Sequence, residues 1–161
     1  MMQLGVVLVL CWLLSLHYTI VSAHEEYVQG QVRWERTEEL QSVVDHLRER
    51  LEILEPVRLS LVDANPLVMS VESIGNRSGP FVIRVDQAFL QELSRDETEA
   101  AIAHELGHVY IHTHHPYVQA ERLANDIALR VVSRSALEPV YEKVWKRTGI
   151  KGNLAEIIGQ P

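Results

Sequence analysis

The chain has one cysteine, Cys11, and only two phenylalanines among its 161 residues. It shows no internal repeat, low-complexity tract or domain linker. A single thiol cannot form an intramolecular disulfide, and cleavage of a signal peptide after Ala23 would remove Cys11, so a metal site in the remaining chain has to use histidine and carboxylate side chains. Positive charge is also scarce, because the formal net charge is -7. Nucleic acid is a poor partner for an acidic chain, and we expect no binding to it.

Charged side chains are absent from the first 23 residues. Residues 4–16 are nearly all apolar, and Val21-Ser22-Ala23 is suited to a cleavage site. This pattern predicts a signal peptide over residues 1–23 and one exported domain, periplasmic or secreted, over residues 24–161. The alternative is an uncleaved membrane anchor that faces outside the cytoplasm, since the apolar run is almost long enough to span a bilayer. We expect membrane association only through residues 4–23.

A helix is predicted to begin at Ser94. Ser94 and Glu97 fit a capping box, in which each side chain accepts from the backbone N–H of the other. Pro116 argues that the helix ends before about residue 115. The stretch His-Glu-Leu-Gly-His at residues 104–108 therefore lies well inside this helix.

Two histidines, His104 and His108, share one face of the predicted helix because they are four residues apart. Glu105 is rotated by about 100° toward the side where a water could sit. Two imidazoles and a neighbouring carboxylate suit zinc and an activated water. We predict one Zn²⁺ per chain, with His104 and His108 as ligands and Glu105 as the catalytic base.

The third metal ligand has two candidates. His114 completes the spacing H-E-x-x-H-x-x-G-x-x-H, but Ile111 replaces the glycine, and a β-branched residue resists the positive φ of such a turn. Glu121 is the better choice. It lies near the start of a second predicted helix, Tyr117–Val132, and faces the metal helix if the connection is tight.

Small and polar side chains follow Glu121 within the second predicted helix. Ala124 and Ala128 allow close contact with the metal helix. Asn125 and Asp126 lie within one turn, and either can accept the outer N–H of a metal-bound histidine and so orient the ring.

His104-Glu105-Leu106-Gly107-His108, followed by Glu121-Arg122-Leu123-Ala124-Asn125, resembles the gluzincin metalloproteases, particularly the minimal enzymes similar to the M48 peptidases. The resemblance spans about residues 38–134. Asn125 stands where M48 enzymes usually carry aspartate, and this E-x-x-A-N form is closer to the M78 group. The resemblance implies a zincin-like fold with the motif on a central helix.

The remaining pattern predicts an α+β fold: a small, mainly antiparallel sheet packed against a helical layer. Apolar spacing and alternation give the elements in chain order. They are a helix over Thr37–Glu55, strands over 57–62, 67–74 and 81–85, a short helix over 87–93, and, after the two metal-binding helices, a last helix over Ser135–Thr148.

These features together predict a zinc-dependent endopeptidase for extended or unfolded polypeptides outside the cytoplasm. An extended segment beside the cleft would pair with the substrate backbone as an added strand. Its predicted substrate-binding residues are Leu67, Val68, Met69, Ser70 and Val71. One alternative is a zinc-bound but proteolytically silent polypeptide-binding module. Another is a latent enzyme whose tail, residues 149–161, plugs the cleft.

Overall fold

A computed structural model describes residues 25, 27–29, 31–33, 35–75, 79–114 and 120–160. The predicted signal peptide and the connection through residues 115–119 lie outside the described residues. Within the described part, no helix is both long enough and apolar enough to cross a membrane.

The chain divides into two compact units, Met1–Arg36 and Thr37–Pro161. The described residues of the first unit are helical, and Tyr27, Val28 and Val32 expose large apolar side chains. The second unit contains every strand described below and both clusters of buried apolar residues.

The second unit opens with helix α1, which covers residues 37–50 of this unit and ends before residue 55, where it was predicted to end. Two backbone hydrogen bonds end the helix, from Glu52 N to Glu49 O at 3.0 Å and from Ile53 N to Arg48 O at 3.1 Å. Glu52 adopts the left-handed conformation, with φ 58°. This Schellman arrangement satisfies the last carbonyls before Pro56 is reached.

Three strands form the sheet: β1 (Val57–Val62), β2 (Met69–Ser73) and β3 (Phe81–Asp86), in the order β1-β3-β2. β2 and β3 are antiparallel, whereas β1 runs parallel to β3, with Val57 opposite Phe81. The prediction of a mainly antiparallel sheet was therefore wrong, because β3 inserts between the first two strands. Alternation of apolar residues marks a strand's faces but not its neighbours. β2 is left at one edge of the sheet.

Helices α2 (Gln87–Leu90) and α3 (Arg95–His114) follow β3. The predicted capping box is present: Ser94 N donates to Glu97 Oε2 at 2.6 Å, and Glu97 N donates to Ser94 Oγ at 3.3 Å. α2 is shorter than predicted. Asp86 begins it by accepting from Phe89 N at 2.8 Å.

Three further helices complete the unit: α4 (Glu121–Ala128), α5 (Arg134–Thr148) and α6 (Leu154–Ile157). α4 is shorter than the predicted Tyr117–Val132, because the chain turns at residues 129–131. α5 starts at the N-cap Ser133 and ends at Gly149, whose φ of 73° suits glycine.

Apolar side chains pack in two clusters on either side of α3. One joins α1, the sheet and α4, and it includes Leu106, Val109 and Ile111 of α3. The other joins α5 and the region around α6, and it includes Ala100 and Ala101. α3 is thus the central helix of an α+β unit, and both clusters hold its polar motif in place.

Candidate metal centre

His104 and His108 lie on one face of α3, as their spacing predicts. Their Nε2 atoms are 3.1 Å apart, and the ring planes are nearly perpendicular. Both side chains are mostly buried, with 14% and 18% exposed. A buried pair of imidazoles with converging nitrogens needs a shared hydrogen or a shared cation between them.

Glu121, the first residue of α4, brings a carboxylate to the same point. Its Oε2 is 3.3 Å from His104 Nε2, and its Oε1 is 3.4 Å from His108 Nε2. The three side chains form the group of potential metal ligands found among the described residues. The structure therefore brings together the three ligands predicted from the sequence, and their nitrogen and oxygen atoms can hold a metal ion.

Gly107 is a feature of the site that the sequence reasoning missed. A Cβ at this position would lie 2.9 Å from both the Cα and the carbonyl carbon of Ala124, and closer still to the carbonyl oxygen. Backbone of α4 therefore occupies the space that a side chain would need. The signal was present in the sequence, because a glycine inside a helix costs about 1 kcal/mol relative to alanine and calls for a packing reason.

His114, the alternative third ligand, lies elsewhere. It is the last residue of α3, so the helix is unbroken and carries it about 15 Å along the axis from His104. Its ring stacks on Tyr110 at 4.0 Å, and its Nδ1 is 3.0 Å from the Tyr110 carbonyl oxygen. Ile111 is completely buried in the core and keeps this turn helical.

Asn125 orients His104 from outside the ligand group. The histidine Nδ1 lies 2.7 Å from Asn125 Oδ1, so the proton belongs on Nδ1 and the lone pair on Nε2. Asn125 is fully buried, and Tyr141 OH is also within reach of its amide. Asp126 was the alternative partner, and the structure does not bring it to the histidines. Its side chain is exposed and does not line the cavity, because adjacent helix positions point about 100° apart.

The charges at the site perturb one another. Hydrogen bonds with the two histidines hold the pKa of Glu121 well below its usual range. Burial opposes protonation of His104, but the carboxylates of Glu121 and Glu105 outweigh it and raise the pKa. The pKa of Glu105 is also raised. Here burial is the cause, and it outweighs the charges of the two histidines, which lower the pKa. Only 6% of Glu105 is exposed, and a carboxyl group this buried and poised suits proton transfer.

The ligand group opens onto a cavity of about 840 Å³. All five predicted substrate-binding residues line it, together with Glu105 and the apolar face of α5. Val68, just before β2, has φ 57°, which is strained for a β-branched residue and costs about 1–3 kcal/mol. The Asn65 carboxamide holds this turn by accepting from Leu67 N at 3.0 Å and donating to Ser70 Oγ at 3.1 Å.

The fold and the site define a class: an α+β unit that presents a His-His-Glu group, capable of binding a metal, at the wall of an apolar cavity. No protein-family model matches the chain, and no curated protein matches it. A weakly similar solved structure is the metallopeptidase zymogen abylysin of Pyrococcus abyssi. The similarity covers 71% of this chain and 99% of that one, with a TM-score of 0.49 and 15% identity. Likeness at this level does not assign a function.

Proposed function

We propose that this chain is a zinc-dependent endopeptidase of the gluzincin type, acting on extended or unfolded polypeptides. The observation that carries the proposal is the convergence of the three candidate ligands: the two imidazole Nε2 atoms are 3.1 Å apart, and the Glu121 carboxylate lies 3.3 Å from His104 through Oε2 and 3.4 Å from His108 through Oε1. A tetrahedral zinc with bonds near 2.0–2.1 Å separates its ligands by about 3.3–3.4 Å. The contacts within the group are thus close to the ligand spacing that the ion requires. Imidazole nitrogens favour zinc over calcium or magnesium, which prefer oxygen.

The site has the composition of a catalytic zinc centre and not of a structural one. A zinc ion with three protein ligands would keep a fourth position for water or substrate, and the three candidate ligands line the cavity. A zinc ion held there would supply Lewis acidity toward a peptide carbonyl and toward the attacking water. Glu105 is the residue we assign to proton transfer: it accepts a proton from that water and delivers it to the leaving amine.

The edge strand β2 supports a polypeptide as the substrate. On the opposite edge, the Gln41 carboxamide pairs with β1: it donates to the Val57 carbonyl at 3.0 Å and accepts from Leu59 N at 2.8 Å. This side chain covers the edge where a further strand would add. Among the described residues, no strand pairs with the outer side of β2, which lines the cavity. An extended substrate can therefore add to the sheet there.

Apolar side chains around the cavity support the same substrate class. Leu67 and Ile150, at its rim, are 65% and 60% exposed. Phe89, Leu137 and Trp145 line its wall. Exposed apolar groups around a concave site favour a ligand with apolar side chains. Unfolded polypeptide offers these together with a free backbone. Export through residues 1–23 remains part of the proposal.

The proposed activity is tested with Glu105→Gln and a zinc assay of the same sample. We expect wild-type protein to digest casein in a chelator-sensitive way, and the variant to keep its zinc and lose about 10²–10⁴-fold of the rate. Glu99→Gln, the same chemical change on the same helix outside the cavity, is the matched control. Undiminished cleavage by Glu105→Gln refutes the mechanism. Full zinc occupancy without any wild-type turnover favours the silent polypeptide-binding module.

A further inference from the structure

The C-terminal segment, residues 149–160, packs against the same unit that carries the metal centre. Ile158 is 3% exposed and belongs to the cluster around α5. Arg134 fastens the end of the segment: its guanidinium donates to the carbonyl of Gly159 at 2.5 Å and to that of Gln160 at 3.3 Å. The segment, which contains the four-residue helix α6, is thus held in place through both side-chain packing and backbone hydrogen bonds.

The Ile157 carbonyl of this segment contacts Asn125, the residue that orients the candidate metal ligand His104. Asn125 Nδ2 donates to the Ile157 carbonyl oxygen at 3.0 Å, and its second hydrogen can reach Tyr141 OH at 2.8 Å. Asn125 Oδ1 faces His104 Nδ1 at 2.7 Å. The buried amide therefore uses its acceptor toward the histidine and its donors toward the segment and the tyrosine.

The orientation of the Asn125 amide follows from these partners. A carbonyl oxygen only accepts, so the amide nitrogen has to face Ile157, and the amide oxygen then has to face His104. An aspartate in this place would set a carboxylate oxygen against the Ile157 carbonyl oxygen and remove the donor that this carbonyl has in Asn125, at a cost of about 1–3 kcal/mol or more. This explains why an amide, and not a carboxylate, occupies position 125.

We propose that the C-terminal segment is a positioning element of the metal centre, acting through Asn125 on the ring orientation and tautomer of His104. The inference rests on the metal-binding part of the proposed function, though not on catalysis. Coupling between two sites is reciprocal, so a segment that favours metal binding is itself stabilised by the metal. The same contacts argue against a segment that merely plugs the cleft, because its removal would loosen His104.

The experiment compares zinc dissociation constants, measured by chelator competition, for wild type, Asn125→Asp, Arg134→Ala and the double variant. Asn125→Asp is expected to weaken zinc binding about 10–100-fold. Arg134→Ala should weaken it several-fold by releasing the segment. In the double variant the loss should be smaller than the product of the single losses, because a released carbonyl no longer opposes the aspartate. Lys146→Ala, which removes an exposed charge from the same helix, is the control.

Hydrogen exchange of the segment supplies a readout that does not depend on activity. The Ile158 amide, bonded to the Leu154 carbonyl at 2.7 Å, should exchange more slowly once zinc is added to wild type, and this effect should vanish in Asn125→Asp. Equal zinc affinity in wild type, Arg134→Ala and Asn125→Asp overturns the inference. Arg134→Ala decides the question if Asn125→Asp does not fold.

The two proposals fail in different ways. If wild type binds no zinc, the proposed function fails. In that case exchange of the Ile158 amide in the zinc-free proteins still tests the contact between Asn125 and the segment, on which this inference is built. Faster exchange in Asn125→Asp than in wild type supports the link between Asn125 and the segment, and equal exchange overturns it.

Discussion

Replacing Gly107 by alanine adds a single methyl group at the contact between α3 and α4. The new carbon would start 2.9 Å from the Cα and carbonyl carbon of Ala124. Carbon atoms pack favourably at about 3.5–4.0 Å, so the two helices have to separate by about 0.6 Å or more. The obstacle is backbone, which cannot rotate away as a side chain can. α4 is therefore the element that has to move.

Movement of α4 displaces Glu121, because this residue is the first of that helix. Metal sites hold their bond lengths to about 0.2 Å, so a shift of 0.6 Å strains or breaks one bond. We expect Gly107→Ala to weaken zinc binding about 10–100-fold, which corresponds to about 1.4–2.7 kcal/mol. The free energy of unfolding of the metal-free protein should fall by less than the free energy of zinc binding. Overpacking costs about 1–3 kcal/mol, and replacing a helical glycine by alanine regains about 1 kcal/mol.

Chelator competition gives the zinc dissociation constant, and urea unfolding of the metal-free proteins gives their stability. Ala100→Val is the control, because it overpacks the same helix in the second cluster, away from α4. It should lower stability and leave zinc affinity nearly unchanged. Unchanged zinc affinity in Gly107→Ala would show that α4 tolerates the methyl group, and the role we give this glycine would then be wrong.

Two further predictions concern the third ligand and the response to acid. Glu121→Ala should lower zinc affinity by two or more orders of magnitude while His114→Ala leaves it unchanged, as measured by chelator competition; the reverse result would make His114 the third ligand. Burial opposes ionisation of Asp86, but bonds from the N–H groups of Phe89 and Asn65 and the charge of Arg147 outweigh it, so the folded pKa lies below the ordinary 3.8. The carboxylate therefore stabilises the fold fully above the unfolded pKa, and this stabilisation is lost as the pH falls through the folded pKa. Arg147→Met should reduce the unfolding free energy of the metal-free protein by about 1–2 kcal/mol at pH 7 and by less at pH 3, measured with urea; an equal loss at both pH values would contradict this account.

Side-chain patterns in the sequence were sufficient for the parts of the site that side chains build. The capping box placed the start of α3, and helical spacing put His104 and His108 on one face. The small residues after Glu121 correctly indicated close helix contact. Sheet pairing was less accessible, since a strand's alternation is the same for a parallel and an antiparallel neighbour. Helix ends were also missed where local backbone geometry, as at Glu52, stopped the helix before the apolar pattern did.

The features of the site that could not be predicted from the sequence have one physical cause: in each case the deciding contact is with the backbone. Gly107 is needed because the Ala124 backbone lies against it. The amide at Asn125 is needed because the Ile157 carbonyl can only accept. Every residue carries the same N–H and C=O groups, so their positions are known only once the chain is folded. Such backbone contacts can still be inferred from unusual residues in the sequence. Here these are a glycine inside a helix and an amide where a carboxylate would also serve the histidine. These two positions are accordingly where substitution should separate metal binding from folding most clearly.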